Sequence, residues 1–200
     1  MTNPKFITFE GGDGSGKTTQ SKKLYEYLIK KGIDTIWTRE IGGTEIGEKI
    51  RDIVVNNEIH LNTELLLIMA ARNDHIENII KPALEKKKIV ICDRFIDSTA
   101  AYQGSNQDEI KKIFYLHQTI WGNFYPDRTI YMKLDPEIAL NRAISRGEIN
   151  KYEHKSLEFH NKIAENYEYL AKTFAYRINT LDASLNERKI FDNMINHLGL

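Results

Sequence analysis

The chain has little that would suit it to an oxidising compartment, a membrane or a nucleic acid. Its single cysteine, Cys92, excludes an intramolecular disulfide and a zinc site built on cysteines. Lys and Arg together number 28, as do Asp and Glu, and the net charge of zero argues against bulk nucleic-acid binding. No apolar run approaches the roughly 20 residues that a membrane-spanning helix needs. Residues 1–5 lead straight into the first predicted strand, so we expect no signal peptide and a cytoplasmic protein.

Patterns typical of strands and helices alternate along the whole chain. Continuous apolar runs such as 89–92 indicate parallel strands that are covered on both faces. Strands are predicted at 5–10, 34–39, 88–93, 128–134 and 176–182. Helices are predicted at 17–31, 44–56, 62–86 (bent or interrupted at Pro82), 96–104, 107–122, 136–146, 155–175 and 184–198. The alternation predicts an α/β fold, a five-stranded parallel sheet flanked by helices, in one domain over residues 1–200.

One glycine-rich loop carries the clearest chemical signal. Residues 11–18 read GGDGSGKT, which matches the P-loop pattern G-x-x-x-x-G-K-[ST] between a predicted strand and a helix. Glycines let backbone N–H groups approach phosphate oxygens, and the helix N-terminus adds partial positive charge. Lys17 would reach the β- and γ-phosphates, and the Thr18 hydroxyl would bind Mg²⁺. The alternative is a glycine-rich turn that merely joins a strand to a helix. If the loop binds ATP, the predicted contacts are Gly11, Gly12, Asp13, Gly14, Ser15, Gly16, Lys17, Thr18 and Thr19.

Polar residues stand where the predicted strands end, which is where an open parallel sheet binds its ligands. Asp93 ends the third strand and is predicted to be the second residue on the Mg²⁺ side, although an ion pair with Arg94 would also explain it. Asp135 and Asp182 follow later strands, where a helix start and a strand-to-helix turn explain them better.

A P-loop alone does not separate kinases from GTPases or motor ATPases. The nearest match to the guanine-reading Asn-Lys-x-Asp motif is residues 150–153, which end in Glu instead of Asp. A small phosphotransferase fits the length better, and it must hold two phosphorylated substrates, so it needs cations besides Lys17. Arg51, Arg72 and Arg94 are the candidates on the acceptor side.

These stretches together resemble the thymidylate kinases (dTMP kinases), and the resemblance covers essentially all 200 residues. The carrying strings are FEGGDGSGKTT at 9–19, TREIGGT at 38–44, AAR at 70–72, DRFIDSTAAYQG at 93–104 and PDRTIY at 126–131. The P-loop is common to many families, whereas the Asp-Arg…Ser-Thr…Ala-Tyr-Gln-Gly string is close to diagnostic.

The resemblance implies a P-loop NTPase fold and a homodimer that transfers the γ-phosphoryl group of ATP to dTMP with Mg²⁺, giving dTDP for dTTP biosynthesis. It implies that Asp13 contacts the deoxyribose 3′-OH, that Arg94 and Arg51 hold the acceptor phosphate, and that Arg72 binds thymine O4. The further residues implied to surround the acceptor are Ile68, Ser98, Thr99, Tyr102 and Gln103.

The chain departs from the family pattern at two positions near the acceptor. Ile68 stands where the family often has an aromatic residue that stacks on thymine, a loss of about 1 kcal/mol of aromatic pairing. Ile41 replaces the usual proline of the Glu-Pro-Gly-Gly turn and removes a restraint on φ. Both departures bear on dTMP affinity and not on the type of reaction.

The donor-side arginine is expected in a lid at about 142–155. Some thymidylate kinases carry it inside the P-loop, where this chain has Gly14. Arg142 and Arg146 lie four residues apart, on one helix face, and Gly147 could act as a hinge. Both arginines are therefore predicted to be catalytic, together with Lys17, Arg94 and Asp13, although a basic helix C-terminus would also explain them.

Other interpretations remain open at this point. They are a kinase for adenylate, cytidylate or guanylate, a P-loop module that binds nucleotide as a switch, and a non-catalytic structural protein. The helix at 107–122 has apolar residues on more than one face, which fits burial against a partner subunit or a fully internal helix.

Arg146→Ala is expected to lower kcat far more than it raises the KM for dTMP. A lid arginine would act on charge that develops during phosphoryl transfer, not on acceptor binding. Steady-state rates with varied dTMP at saturating ATP measure both constants, and an unchanged kcat would remove Arg146 from the transition state.

Overall fold

Five parallel strands form one sheet in the computed structural model, which describes residues 5–145, 151–152 and 154–200. The strands are β1 (Phe6–Glu10), β2 (Thr35–Arg39), β3 (Ile89–Asp93), β4 (Arg128–Lys133) and β5 (Ile178–Asp182). Their order is β2-β3-β1-β4-β5, and every neighbouring pair is parallel. The predicted five-stranded parallel sheet is confirmed, and each predicted strand is present.

Helices cover both faces of the sheet. They are α1 (Lys17–Lys30), α2 (Glu45–Asn56), α3 (Leu61–His75), α4 (Lys81–Glu85), α5 (Ile96–Gln103), α6 (Gln107–Trp121), α7 (Pro136–Ile144), α8 (Leu157–Thr173) and α9 (Glu187–Leu198). The start of α9 differs most from its predicted position, and a capping side chain explains the difference. Asn186 accepts from the Lys189 N–H, so α9 begins three residues later than predicted.

The long third helix is interrupted near Pro82, as predicted. A π-helical segment, Ile76–Ile80, joins α3 to α4, and the Lys81 N–H donates to the Ile76 carbonyl five residues earlier. Proline has no N–H to donate, and its ring would clash with the carbonyl four residues before it. The wider π turn lets the chain pass the proline and remain helical.

The sheet separates two apolar cores. Phe6 of β1 packs into the core formed with α3, α5, α6 and α8, whereas Ile7 and Phe9 pack into the core formed with α1 and α9. Side chains alternate along a strand, so Glu10 lies on the same face as Phe6. Cys92 is buried on that face too, which agrees with the covered strand predicted from the apolar run 89–92.

Helix α6 is not internal. Ile110, Ile113 and His117 face the core, while Tyr115 is 73% exposed and Ile120 is 49% exposed. Within the described residues, no helix is both long enough and apolar enough to cross a membrane.

His117 is a buried histidine that stays uncharged near neutral pH. Its Nε2 hydrogen-bonds the Phe124 carbonyl at 2.7 Å, so Nε2 carries the proton, and Nδ1 is buried without a partner among the described residues. Burial lowers the pKa of His117 to about 4, and the positive charge of Arg72 adds to the effect.

His117→Gln is expected to reduce the decrease in unfolding free energy between pH 6.5 and pH 4. Between pH 6.5 and pH 4 the unfolded chain binds a proton that the folded chain refuses, which costs up to about 3 kcal/mol of unfolding free energy. Glutamine keeps a donor for the Phe124 carbonyl and does not titrate. Urea unfolding at several pH values measures the slope.

The exposed His197 offers a matched control, since His197→Gln should leave that slope unchanged. Parallel curves for the chain with and without His117 would contradict the assignment of the acid sensitivity to this residue.

Candidate active site

The glycine-rich loop connects the end of β1 to the first residue of α1. Lys17 begins α1, and its ammonium donates to the Gly12 carbonyl at 2.7 Å. Gly14 has φ +81°, and a Cβ added there would lie 1.9 Å from the Ala139 carbonyl oxygen of α7. No side chain fits at position 14, because the backbone of α7 packs directly onto the loop.

Lys17 is buried, and its surroundings weaken its hold on its proton. Burial, together with the positive charge of Arg94, lowers the pKa of Lys17 to about 8. The acids Asp13, Asp93 and Glu10 oppose that shift. A phosphate placed in the loop would add negative charge beside this ammonium and raise the pKa of Lys17.

Thr18 and Asp93, the two predicted metal-side residues, lie together. The Thr18 hydroxyl donates to the Asp93 carboxylate, which joins the start of α1 to the end of β3. The described residues contain no cluster of three or more His, Cys, Asp or Glu that could hold a metal. A hydroxyl and one carboxylate nevertheless suit Mg²⁺, which takes oxygen ligands and keeps waters and substrate phosphates around it.

A deep cavity opens beside the loop, at the carboxyl ends of β1, β2 and β3. One wall is apolar and includes Ile41, Val55, Ile68 and Phe95. The polar residues that line this deep cavity are Asp13, Glu40, Arg51, Arg72, Arg94, Ser98, Thr99, Tyr102, Gln103 and Tyr152.

Arg72 is 1% exposed and lines the deep cavity. Its guanidinium donates to Glu40 at 2.8 Å and to the Thr99 hydroxyl at 2.7 Å, and it lies over the Phe95 ring. Burial opposes ionisation of Glu40, but Arg72 and the adjoining His75 outweigh it and lower the pKa of Glu40. The ion pair between Arg72 and Glu40 keeps a charged guanidinium in a buried place. Some N–H groups of that guanidinium remain available to donate to a ligand.

Arg94 joins the loop to the deep cavity. Its backbone is left-handed, with φ 72°, at the turn between β3 and α5. Its Nη2 pairs with Asp13 at 2.6 Å and also donates to the Tyr102 hydroxyl at 3.2 Å. Burial opposes the charge on Asp13, but Arg94 and Lys17 outweigh it and lower the pKa of Asp13 to about 2. Both members of the pair are thus ionised at neutral pH.

A second, loop cavity lies over the P-loop and borders the deep cavity. It is lined by Lys17, Thr18 and Asp93, and it shares four residues with the deep cavity: Asp13, Glu40, Arg51 and Arg94. Arg51 donates to the Ile41 carbonyl at 3.1 Å; burial and Arg39 lower its pKa. Two cationic side chains therefore stand where the two cavities meet.

A third, side cavity lies on the opposite flank of the P-loop, between α7 and the turn after β5. Its lining includes Thr19, Gln20, Arg142, Ala183 and Leu185. Arg142 donates to the Ala183 carbonyl at 3.3 Å. The structure thus separates Arg142 from Arg94, although both are predicted to be catalytic.

The other predicted site residues fall into three groups. The structure brings together around the deep and loop cavities every predicted acceptor residue and both predicted metal-side residues. Arg146 and Gly147 of the predicted lid lie outside the described residues. Asp135 caps α7 and Asp182 holds the Ser184 turn, as expected.

Sequence reasoning missed several side chains around the deep cavity. Glu64 accepts from Gln103 at 2.9 Å and from the Tyr152 hydroxyl at 2.8 Å, and Glu10 and Tyr167 contact Ser98 behind Arg94. The position of Glu10 at the end of an apolar strand was a usable signal, the same one that identified Asp93. Glu64, Tyr152 and Tyr167 carry no such signal, because only the fold brings them to the site.

Comparison with known proteins gives a consistent result. The family model described as thymidylate kinase matches residues 9–194. A thymidylate kinase of Orientia tsutsugamushi (strain Ikeda) is 51% identical over 180 residues, 87% of this chain and 83% of the relative. One of Rickettsia typhi (strain ATCC VR-144 / Wilmington) is 46% identical over 200 residues, 99% of this chain and 98% of the relative.

A solved structure agrees with these matches. The crystal structure of thymidylate kinase from Ehrlichia chaffeensis superposes with a TM-score of 0.80 at 36% identity, covering 98% of both chains. The predicted P-loop NTPase fold is confirmed.

Proposed function

The chain belongs to the thymidylate kinase family, and from that premise we propose that it transfers the γ-phosphoryl group of ATP to dTMP. The bond between the γ-phosphorus and the β,γ-bridging oxygen breaks, and a bond forms between that phosphorus and an oxygen of the dTMP phosphate. The products are ADP and dTDP. Such a transfer needs no covalent nucleophile, because positioning and charge stabilisation supply the rate.

One observation carries the proposal: the loop cavity and the deep cavity meet at Asp13, Arg51 and Arg94. A donor in the loop and an acceptor in the deep cavity would face each other there. The two arginines would bind the acceptor phosphate, and planar guanidinium groups match its oxygens. Arg94 would exchange part of its pairing with Asp13 for the phosphate, which frees Asp13 to accept from the deoxyribose 3′-OH.

The deep cavity would hold the thymine base. Arg72 would donate to thymine O4, with its plane already set by Glu40 and Thr99. Ile68 would cover one face of the base, beside Ile41 and Val55 on the apolar wall. The further acceptor contacts in this proposal are Ser98, Thr99, Tyr102 and Gln103.

On the donor side, backbone N–H groups of residues 11–16 and the Lys17 ammonium would bind the phosphates. The side cavity would hold the adenine, with Arg142 on its wall. Since α7 leaves no room for a side chain at position 14, an arginine acting on the transferred group has to come from elsewhere. We assign that role to Arg146 in a lid over about 142–155, in a single catalytic domain.

Thr18 and Asp93 would hold Mg²⁺, Thr18 directly and Asp93 directly or through water. When bound, Mg²⁺ neutralises charge on the β- and γ-phosphates. The hydrogen bond between the two residues already sets their oxygens side by side.

The acceptor assignment predicts the strongest turnover with dTMP. A coupled ADP-release assay with ATP and Mg²⁺ would present dTMP, dUMP, AMP, CMP and GMP separately. We expect kcat/KM for dTMP to exceed that for CMP and AMP about tenfold or more, because the Arg72 donors suit the carbonyl at thymine O4 and would meet an amino group in cytosine or adenine. Lys17→Met, which keeps the length and loses the charge, is the inactive control.

The other outcomes are equally informative. Turnover led by a different monophosphate would keep the phosphotransferase mechanism and overturn the pocket assignment. ATP binding without turnover of any acceptor would instead favour a nucleotide-dependent switch.

We also propose a cytoplasmic homodimer, in which the exposed face of α6 that carries Tyr115 and Ile120 packs against a second copy. Sedimentation should then give twice the chain mass of 23.2 kDa, and Tyr115→Glu should shift it toward the single mass. A chain that sediments as a monomer at micromolar concentration would contradict this.

A further inference from the structure

Glu10 is a fully buried carboxylate that does not line the deep cavity. It ends β1, immediately before the P-loop, on the face of the sheet that α5 and α8 cover. Burial and the nearby Asp97 raise the pKa of Glu10 to about 7, while Ser98, Arg94 and the Phe95 N–H oppose the rise. A buried acid is costly unless its oxygens are well bonded, so its contacts indicate its purpose.

The two oxygens of Glu10 have different partners. Oε1 accepts from the Phe95 N–H at 2.8 Å. Oε2 accepts from the Ser98 hydroxyl and from the Tyr167 hydroxyl, the latter at 3.3 Å. One carboxylate therefore joins the start of α5 to the middle of α8.

Both hydroxyls also contact Arg94. Its Nη1 donates to Ser98 Oγ at 3.0 Å, to the Tyr167 hydroxyl at 3.3 Å and to the Gly11 carbonyl at 3.0 Å. A hydroxyl has one proton to give and lone pairs to receive. Ser98 donates its hydroxyl proton to Glu10, so Tyr167 donates to Ser98 Oγ at 2.8 Å or to Glu10, and both hydroxyls are left with lone pairs for the arginine.

The backbone contact acts on the same residue. A non-glycine residue with φ near +70° is strained and persists only where its surroundings hold it. The Arg94 N–H donates to the Phe9 carbonyl at 2.9 Å on one side, and the next N–H, that of Phe95, donates to Glu10 on the other. Glu10 thus holds both the backbone turn and the guanidinium of Arg94.

We propose that Glu10 is a positioning residue for the acceptor phosphate, acting through Ser98, Tyr167 and the Phe95 N–H to hold Arg94 in its binding orientation. The inference rests on the proposed function, since it takes dTMP as the acceptor. Glu10 does not touch the substrate; it sets the geometry of the residue that does.

Glu10→Gln tests the proposal with two ligands that differ only by the phosphate. An amide keeps an acceptor for the Phe95 N–H but presents N–H groups to the two hydroxyls, whose protons then turn toward Arg94. Calorimetry should show dTMP binding weakened about 10- to 100-fold, the range expected for a disrupted buried hydrogen-bond network. Thymidine, which lacks the phosphate, should bind within about twofold of the unaltered chain.

Two further variants provide a second test and a control. Tyr167→Phe removes one bridging hydroxyl and should weaken dTMP in the same selective way, and it serves if Glu10→Gln does not fold. Glu168→Gln, on the exposed face of α8 where Glu168 pairs with Lys133, should change neither affinity.

The outcomes separate the two levels of the proposal. Equal losses for dTMP and thymidine would make Glu10 a packing residue of the cavity and overturn the inference, as would unchanged dTMP affinity. If the unaltered chain binds neither ligand, the proposed function itself fails, and the inference fails with it.

Discussion

The site depends on one constraint, the left-handed turn that puts the Arg94 guanidinium between the P-loop and the deep cavity. Asp13 of the loop forms an ion pair with it, and the hydroxyls of Tyr102 in α5 and Tyr167 in α8 accept from it, so three separate parts of the chain converge on one cation. Charges that converge in a buried place stabilise one another only if each is paired and hydrogen-bonded. Removing Asp13 would leave the Arg94 charge without its ion-pair partner in a largely buried place.

The parallel sheet makes this convergence possible. The central strands end at the same edge, and the residues there are acidic: Glu10 ends β1 and Asp93 ends β3. Each acid has a separate task, because Asp93 meets Thr18 of the loop and Glu10 supports Arg94 from behind. On the other flank, α7 packs so tightly onto Gly14 that the loop admits no side chain there, and any donor-side arginine must come from beyond the loop.

The sequence predicted the fold well because its signals are local. Apolar strand runs, the P-loop and the interruption at Pro82 each lie within a few residues, and the structure contains all of them. The contacts of the site are not local. The Glu10–Tyr167 hydrogen bond spans 157 residues, and the Glu64–Tyr152 bond spans 88. No local sequence pattern indicates such pairs. Arg94 could therefore be predicted as a site residue, but the hydrogen bonds that hold it could not.

The most direct measurement is a crystal structure of the chain with dTMP bound. We expect the Arg94 guanidinium to contact oxygens of the dTMP phosphate within hydrogen-bond distance while its backbone keeps φ near 72°. We also expect Ser98 and Tyr167 still to bridge Glu10 to Arg94. A phosphate held by Arg51 alone, with Arg94 still fully paired to Asp13, would contradict the role of Arg94 in binding the acceptor.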